Sequence, residues 1–306
     1  MILKIGSTGA NVQIVQRFLK IADDGIFGPA TQTAVKAWQK ANGLLDDGIV
    51  GPLTWNAMKL GELSTTDIKE NDLLIKQKLL PVGQYLAGPT KKEWFFLHHT
   101  AGWHSPYNTI DAWANDDRGA VATEFVLGGP SIKGNDEKFD GEVVKCIPDG
   151  GYAWHLGTGN NVMHRNSIAV EVCNFGYLTK GGYYKGASFV KLNPDKFYNY
   201  VGIEAHPSQI IELSQSFRGF KFWHRYSDKQ IESLKDLILH VAATHSIDVR
   251  KGLIELIKKE GEFKAFDKMD VAMCERTKGM WTHTNVLIGK VDMFPQPELV
   301  KMLLSI

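Results

Sequence analysis

Residue types able to hold a metal fall in three separated segments, at strand or loop ends. The first is Leu97-His98-His99-Thr100-Ala101-Gly102, the second holds His283, and the third ends at Asp292. Imidazole nitrogen and carboxylate oxygen both suit zinc. Three protein ligands leave a fourth coordination position open, the arrangement a hydrolase needs. The chain has 10 histidines, so spacing alone does not choose the ligands among them. No His-Glu-x-x-His helix is present, which argues against that kind of zinc peptidase.

Elements that would position these residues follow from hydrophobic patterning. Trp94-Phe95-Phe96-Leu97 is an apolar run that predicts a buried strand ending at His98. Residues Thr123 to Leu127, Gly141 to Ile147 and Ser167 to Val172 read as further strands. Asp228 to His245 predicts a long amphipathic helix, with Ile231, Leu234, Leu237, Ile238, Val241 and Ala242 on one face. Strands alternating with helices imply an α/β domain with a mixed central sheet flanked by helices. Residues 176–225 are long and aromatic, and most of those rings are expected to pack rather than to cover a site.

The first 60 or so residues differ. Asp23-Asp24-Gly25-Ile26-Phe27-Gly28-Pro29-Ala30-Thr31 returns as Asp46-Asp47-Gly48-Ile49-Val50-Gly51-Pro52-Leu53-Thr54. Each Asp-Gly pair reads as a tight turn, the second Gly as a position needing unusual backbone angles, and the Pro as a helix entry. Helical faces surround the turns: Val12, Val15, Phe18 and Leu19; then Ala34, Val35, Trp38 and Ala41; then Trp55, Met58 and Leu60. A small all-α three-helix domain is expected. It resembles the type 1 peptidoglycan-binding domain family, on Leu3-Lys4-Ile5-Gly6-Ser7-x-Gly9, Val12, Gln16, the doubled loop and Thr54-Trp55. The resemblance implies wall binding without catalysis. Residues 61–90 read as a connector, with a cap at Ser64 to Asp67, a short helix from Ile68 to Leu80, and breaks at Pro81, Gly83, Gly88 and Pro89. The expected domains are 1–62, a linker over 63–90, and a catalytic domain over 91–306.

Four further stretches resemble the type 2 N-acetylmuramoyl-L-alanine amidase family, which includes phage endolysins. They are Phe96 to Gly102, Ala153-Trp154-His155-Leu156-Gly157, Asn166-Ser167-Ile168-Ala169-Val170-Glu171, and His283 through Lys290 to Asp292. Carried over position by position, the resemblance implies zinc held by His98, His283 and Asp292, with His99 on the opposite strand face as the fallback ligand. Glu171 falls at the family's catalytic carboxylate and would act as base. Lys290 would stabilise the oxyanion, and His155 would line the cleft and bond substrate. Glu124 stands where the family often has Tyr, His or Asn, as a second acid/base candidate or a support to a ligand. The Pro that usually follows the final ligand is missing.

Composition sets limits. A net charge of +1 at pH 7 gives no basic face for nucleic acid. No apolar run reaches membrane-spanning length, and Met1 to Gln13 lacks a secretory pattern. Cys146, Cys173 and Cys274 are too few and too scattered for a disulfide framework, so buried thiols are expected. The implied activity is a zinc-activated-water cleavage of the amide between N-acetylmuramic acid and L-alanine of the stem peptide. The implied setting is a bacteriolytic, antimicrobial phage-type enzyme, monomeric, made in the host cytoplasm and acting on the cell wall after release. The alternative is a non-catalytic peptidoglycan-recognition protein.

Overall fold

The computed structural model describes residues 2–58, 73–88, 91–158 and 161–306. The chain divides into two compact units, Met1–Asp72 and Leu73–Ile306.

In the first unit, helices Ala10–Phe18, Pro29–Ala41 and Pro52–Ala57 close around Leu3, Val12, Val15, Phe27, Val35, Val50 and Met58. The two repeated loops are locked by a buried glutamine from the helix before each. The Gln16 amide nitrogen donates to Asp24 Oδ1 at 2.8 Å, the Ile26 carbonyl at 3.0 Å and Thr31 Oγ1 at 3.0 Å. Its Oε1 accepts the Gly25 N–H at 2.9 Å. Gln39 repeats the set on Asp47, Ile49, Thr54 and Gly48. The unusual backbone falls one glycine earlier than the sequence suggests. Gly25 and Gly48 take positive φ (72° and 71°), whereas Gly28 is extended at the helix entry. The reason is the Asp24 and Asp47 carboxylates, which accept the N–H two residues on and turn the chain at the intervening glycine.

The second unit is built on a six-stranded mixed sheet. Its strand order is Ile75–Gln77, Val143–Lys145, Phe125–Leu127, Ser167–Val172, Trp94–His99 and Gly279–Thr282. All neighbours run parallel except Phe125–Leu127 against Val143–Lys145. Trp94–His99, Phe125–Leu127 and Gly279–Thr282 are buried along their full length, so they read as nearly continuous apolar runs. Helix Asp228–His245 forms as expected. Ser227 and Gln230 make a reciprocal capping box, and Ile231, Leu234, Leu237, Ile238 and Val241 are buried in the main core.

One expectation is corrected. Ile68 to Leu80 does not form one helix: Ile75–Gln77 is an extended edge strand paired with Val143–Lys145. Three alternating residues against a parallel neighbour gain ladder bonds that a short isolated helix cannot match. Leu60, the cap at Ser64 to Asp67, Ile68 and Pro89 lie outside the described residues.

The aromatic stretch folds as a second, antiparallel sheet, in the order Phe197–Tyr198, Tyr177–Lys180, Phe220–His224, Ile210–Phe217, with a hairpin of Gly182–Lys185 and Ser188–Lys191. Most of its rings pack, as Tyr177 on Phe220 (3.7 Å between centroids) and Trp223 on Phe294 (4.5 Å) show, while Tyr184 and Phe189 stay exposed. All three cysteines are free and buried. No helix among the described residues is long and apolar enough to cross a membrane.

Candidate metal centre

Sheet register brings the chemistry together. His98 pairs with Glu171 across the parallel strands Trp94–His99 and Ser167–Val172. Registered neighbours on adjacent strands point to the same face about 4.8 Å apart. On the other side, Thr282 pairs with Leu97, so His283, the next residue, arrives level with His98. The chain then loops outward and returns at Asp292.

The three groups converge. His98 Nδ1 lies 2.9 Å from His283 Nδ1, His283 Nδ1 lies 2.9 Å from Asp292 Oδ2, and His98 Nδ1 lies 3.4 Å from the same oxygen. Among the described residues this is the cluster of three able to share an ion. The donors fit zinc: bonds of about 2.0–2.1 Å at the tetrahedral angle put donor atoms roughly 3.3 Å apart. Proton counting also fits. Each ring nitrogen carries at most one hydrogen, so His283 Nδ1 cannot satisfy both His98 Nδ1 and Asp292 Oδ2. A cation at the centre satisfies all three.

Charge points the same way. Burial, with His283 nearby, pushes His98 down to about 4 against the pull of Asp292. Burial opposes ionisation of Asp292, but hydrogen bonds from His283 and His98 outweigh it and hold the carboxyl far below the usual range. A carboxylate buried this deeply among ring nitrogens suits a positive partner.

The outer nitrogens are already held. His283 Nε2 lies 3.2 Å from the Leu156 carbonyl, which can only accept, so Nε2 donates there and Nδ1 is the nitrogen left facing His98 and Asp292. His98 Nε2 lies 3.1 Å from His155 Nδ1, and His155 Nε2 lies 2.7 Å from Ser167 Oγ. Such partners fix tautomer and orientation. His155, expected to line the cleft, has both ring nitrogens engaged within the protein, one on His98 and one on Ser167.

Glu171 has a shielded Oε2 with no hydrogen-bond partner. Burial and the Asp292 charge raise its pKa well above the ordinary value, and Lys290 opposes the rise. Lys290 sits two residues before Asp292, and its charge is felt at Glu171, His98 and His99. His99 faces the other side of the strand, with Nδ1 2.8 Å from the Tyr226 hydroxyl, and is not in the cluster. Glu124 is not in the cluster either: it is buried against Lys145 at 3.2 Å. Sequence reading missed Ser167, the Leu156 carbonyl and Tyr226. A hydroxyl or carbonyl acceptor carries no sequence signature, so only folding reveals these three.

Comparison with known proteins gives the family. Residues 89–270 match the N-acetylmuramoyl-L-alanine amidase family, and residues 8–58 match a putative peptidoglycan binding domain. The first match covers more than half of the chain, which belongs to the N-acetylmuramoyl-L-alanine amidase family. That match contains His98, His155 and Glu171 but ends before His283 and Asp292, so their meeting with His98 is the structure's own contribution. Among solved structures, a Burkholderia AP3 phage endolysin is similar at 41% identity over 20% of this chain and 26% of that one, with a TM-score of 0.19. A fused Zn-dependent amidase/peptidase/peptidoglycan-binding domain-containing protein from Clostridium acetobutylicum shows 35% identity over 19% and 28%, with a TM-score of 0.19. This chain thus spans about a quarter of each. PlyL shows 15% identity over 72% of this chain and 86% of that one, with a TM-score of 0.38. No curated protein matches.

Proposed function

We propose that this protein is a peptidoglycan hydrolase of endolysin type, cleaving the amide between N-acetylmuramic acid and the L-alanine of the stem peptide. The observation that carries the reading is the buried donor triangle of His98, His283 and Asp292. These residues would hold zinc. When bound, zinc would supply the charge that acidifies water and polarises a carbonyl.

The protein's own groups do the rest. Glu171, the registered neighbour of His98, takes the proton of the attacking water and passes it to the leaving amine. Its raised pKa suits a group that must hold the proton between taking it from water and passing it to the amine. Lys290 turns its ammonium toward the developing oxyanion. His155, bonded to Ser167, holds the His98 ring. Residues 1–62 bind the wall and raise the local concentration of substrate for residues 91–306. The enzyme acts at the bacterial cell wall as a monomer and does not insert stably in the membrane.

Incubation of the purified protein with peptidoglycan should release amino groups without new reducing ends. Reducing ends would assign a glycosidase instead. Binding to the wall with neither product would favour a non-catalytic recognition protein.

A further inference from the structure

The loop that carries His283, Lys290 and Asp292 is not anchored evenly. Its first residues are docked: Thr284 Oγ1 donates to the Phe266 carbonyl at 2.6 Å, and the Asn285 amide donates to the carbonyls of Ala265 and Lys268, each at 2.9 Å. Its outer stretch is exposed, with Ile288 at 77%. There the guanidinium of Arg218 reaches in from the second sheet. Nη1 donates to the Lys290 carbonyl at 2.5 Å, and Nη2 donates to the carbonyls of Asp267 at 3.1 Å and Thr284 at 3.4 Å. Nε donates to the Asp267 carboxylate at 2.8 Å.

Arg218 is also the wrong residue for its own backbone. It and Gly219 form the two-residue turn between Phe217 and Phe220, with φ of 49° and 87°. A hairpin turn with both central residues at positive φ favours Asn-Gly. Arg there is conformationally disfavoured, yet its side chain is largely buried and tied at every donor named above.

We propose that Arg218 is a positioning residue for the metal centre: it clamps the outer part of the ligand loop, setting Asp292 for the ion and Lys290 for the substrate carbonyl. This rests on the proposed zinc hydrolase reading. The planar fork of arginine is what allows one side chain to bridge Asp267 and two loop carbonyls, which lysine cannot do.

Arg218→Asn separates this role from a merely structural one, because asparagine suits the turn better while removing the clamp. In the metal-free full chain, amide hydrogen exchange over residues 286–292 should be faster in the variant. In competition against a chromogenic chelator, its affinity for zinc should fall about tenfold, the lower end of what loss of a ligand's direct partner costs, since Arg218 acts through the loop backbone. With zinc saturating, kcat should fall and KM stay. Arg218→Lys should lie nearer the Asn variant than wild type. Unchanged exchange, or zinc affinity within about twofold of a zinc-binding wild type, would overturn the proposal. Failure of wild type to bind zinc would instead sink the hydrolase reading, while the exchange measurement would still judge the clamp.

Discussion

The two units bury polar side chains for opposite ends. In the first, Gln16 and Gln39 each spread donors and an acceptor over one loop, and every partner is found within the chain. In the second, two ring nitrogens and a carboxylate oxygen crowd within 3.4 Å with fewer protons than acceptors. A satisfied network only builds shape, since nothing is left to attract a ligand. An under-protonated one is held in place by the surrounding fold and keeps its unmet demand for an ion.

The largest effect should come from removing a member of the unsatisfied set. His283→Ala takes away one donor and leaves Asp292 buried with a weaker partner set, so both zinc binding and amide cleavage should be lost. Metal content after dialysis and amine release measure the two. Retained zinc in that variant would mean that the triangle is not the metal site.

Glu171→Gln sharpens the same contrast by leaving the donors intact. Zinc should stay, while kcat falls by about 10²–10⁴ through loss of proton transfer. Full turnover in Glu171→Gln would dismiss it as the base. The base role would then pass to another group, with Glu124, paired with Lys145, the first to test.

What the sequence revealed follows the same division. Strand Ser167–Val172 and helix Asp228–His245 are bounded as patterning predicts, because a buried run and a capped amphipathic face are local properties. The convergence of His98 with residues nearly two hundred positions away is not local, and only the resemblance of motifs pointed to it. Neither motif nor periodicity placed the edge strand Ile75–Gln77, whose pairing with Val143–Lys145 is a tertiary choice. His155 was marked as important by its motif, yet its bonds to His98 and Ser167 emerge only when three segments fold together. Gln39 gave no signal beyond repetition of Gln16.

Gln39 offers a smaller test from the first unit. Gln39→Ala leaves the Gly48 N–H and the Ile49 carbonyl without their buried partner, at a cost of about 1–3 kcal/mol. Gln13, half-buried and bonded to the Asp23 carbonyl through an exposed hydrogen bond, should cost less than about 0.5 kcal/mol when replaced. Hydrogen exchange at Gly48, or the calorimetric transition of the first unit, reports the difference. Equal effects at the two positions would remove the distinction between a locking glutamine and a surface one.

Acid should separate the units most gently. His224 is 2% exposed, its Nδ1 accepts the Phe175 N–H at 3.1 Å, and its Nε2 has no partner. Burial, then His99 and His104, push its pKa down to about 3. An unfolded histidine takes its proton near pH 6.5, so between about 6.5 and 3 the unfolded chain holds more protons than the folded one. The stability contribution of neutral His224 is therefore complete above about pH 6.5 and is lost as pH falls through that window, at up to about 1.4 kcal/mol per pH unit. The first unit contains no histidine. In the metal-free protein, urea unfolding at successive pH values from 7 to 4.5 should thus weaken the second unit and leave the first nearly flat. His224→Gln should make the second unit's slope shallower. If the first unit weakens as steeply over that range, the titrating groups are not these histidines.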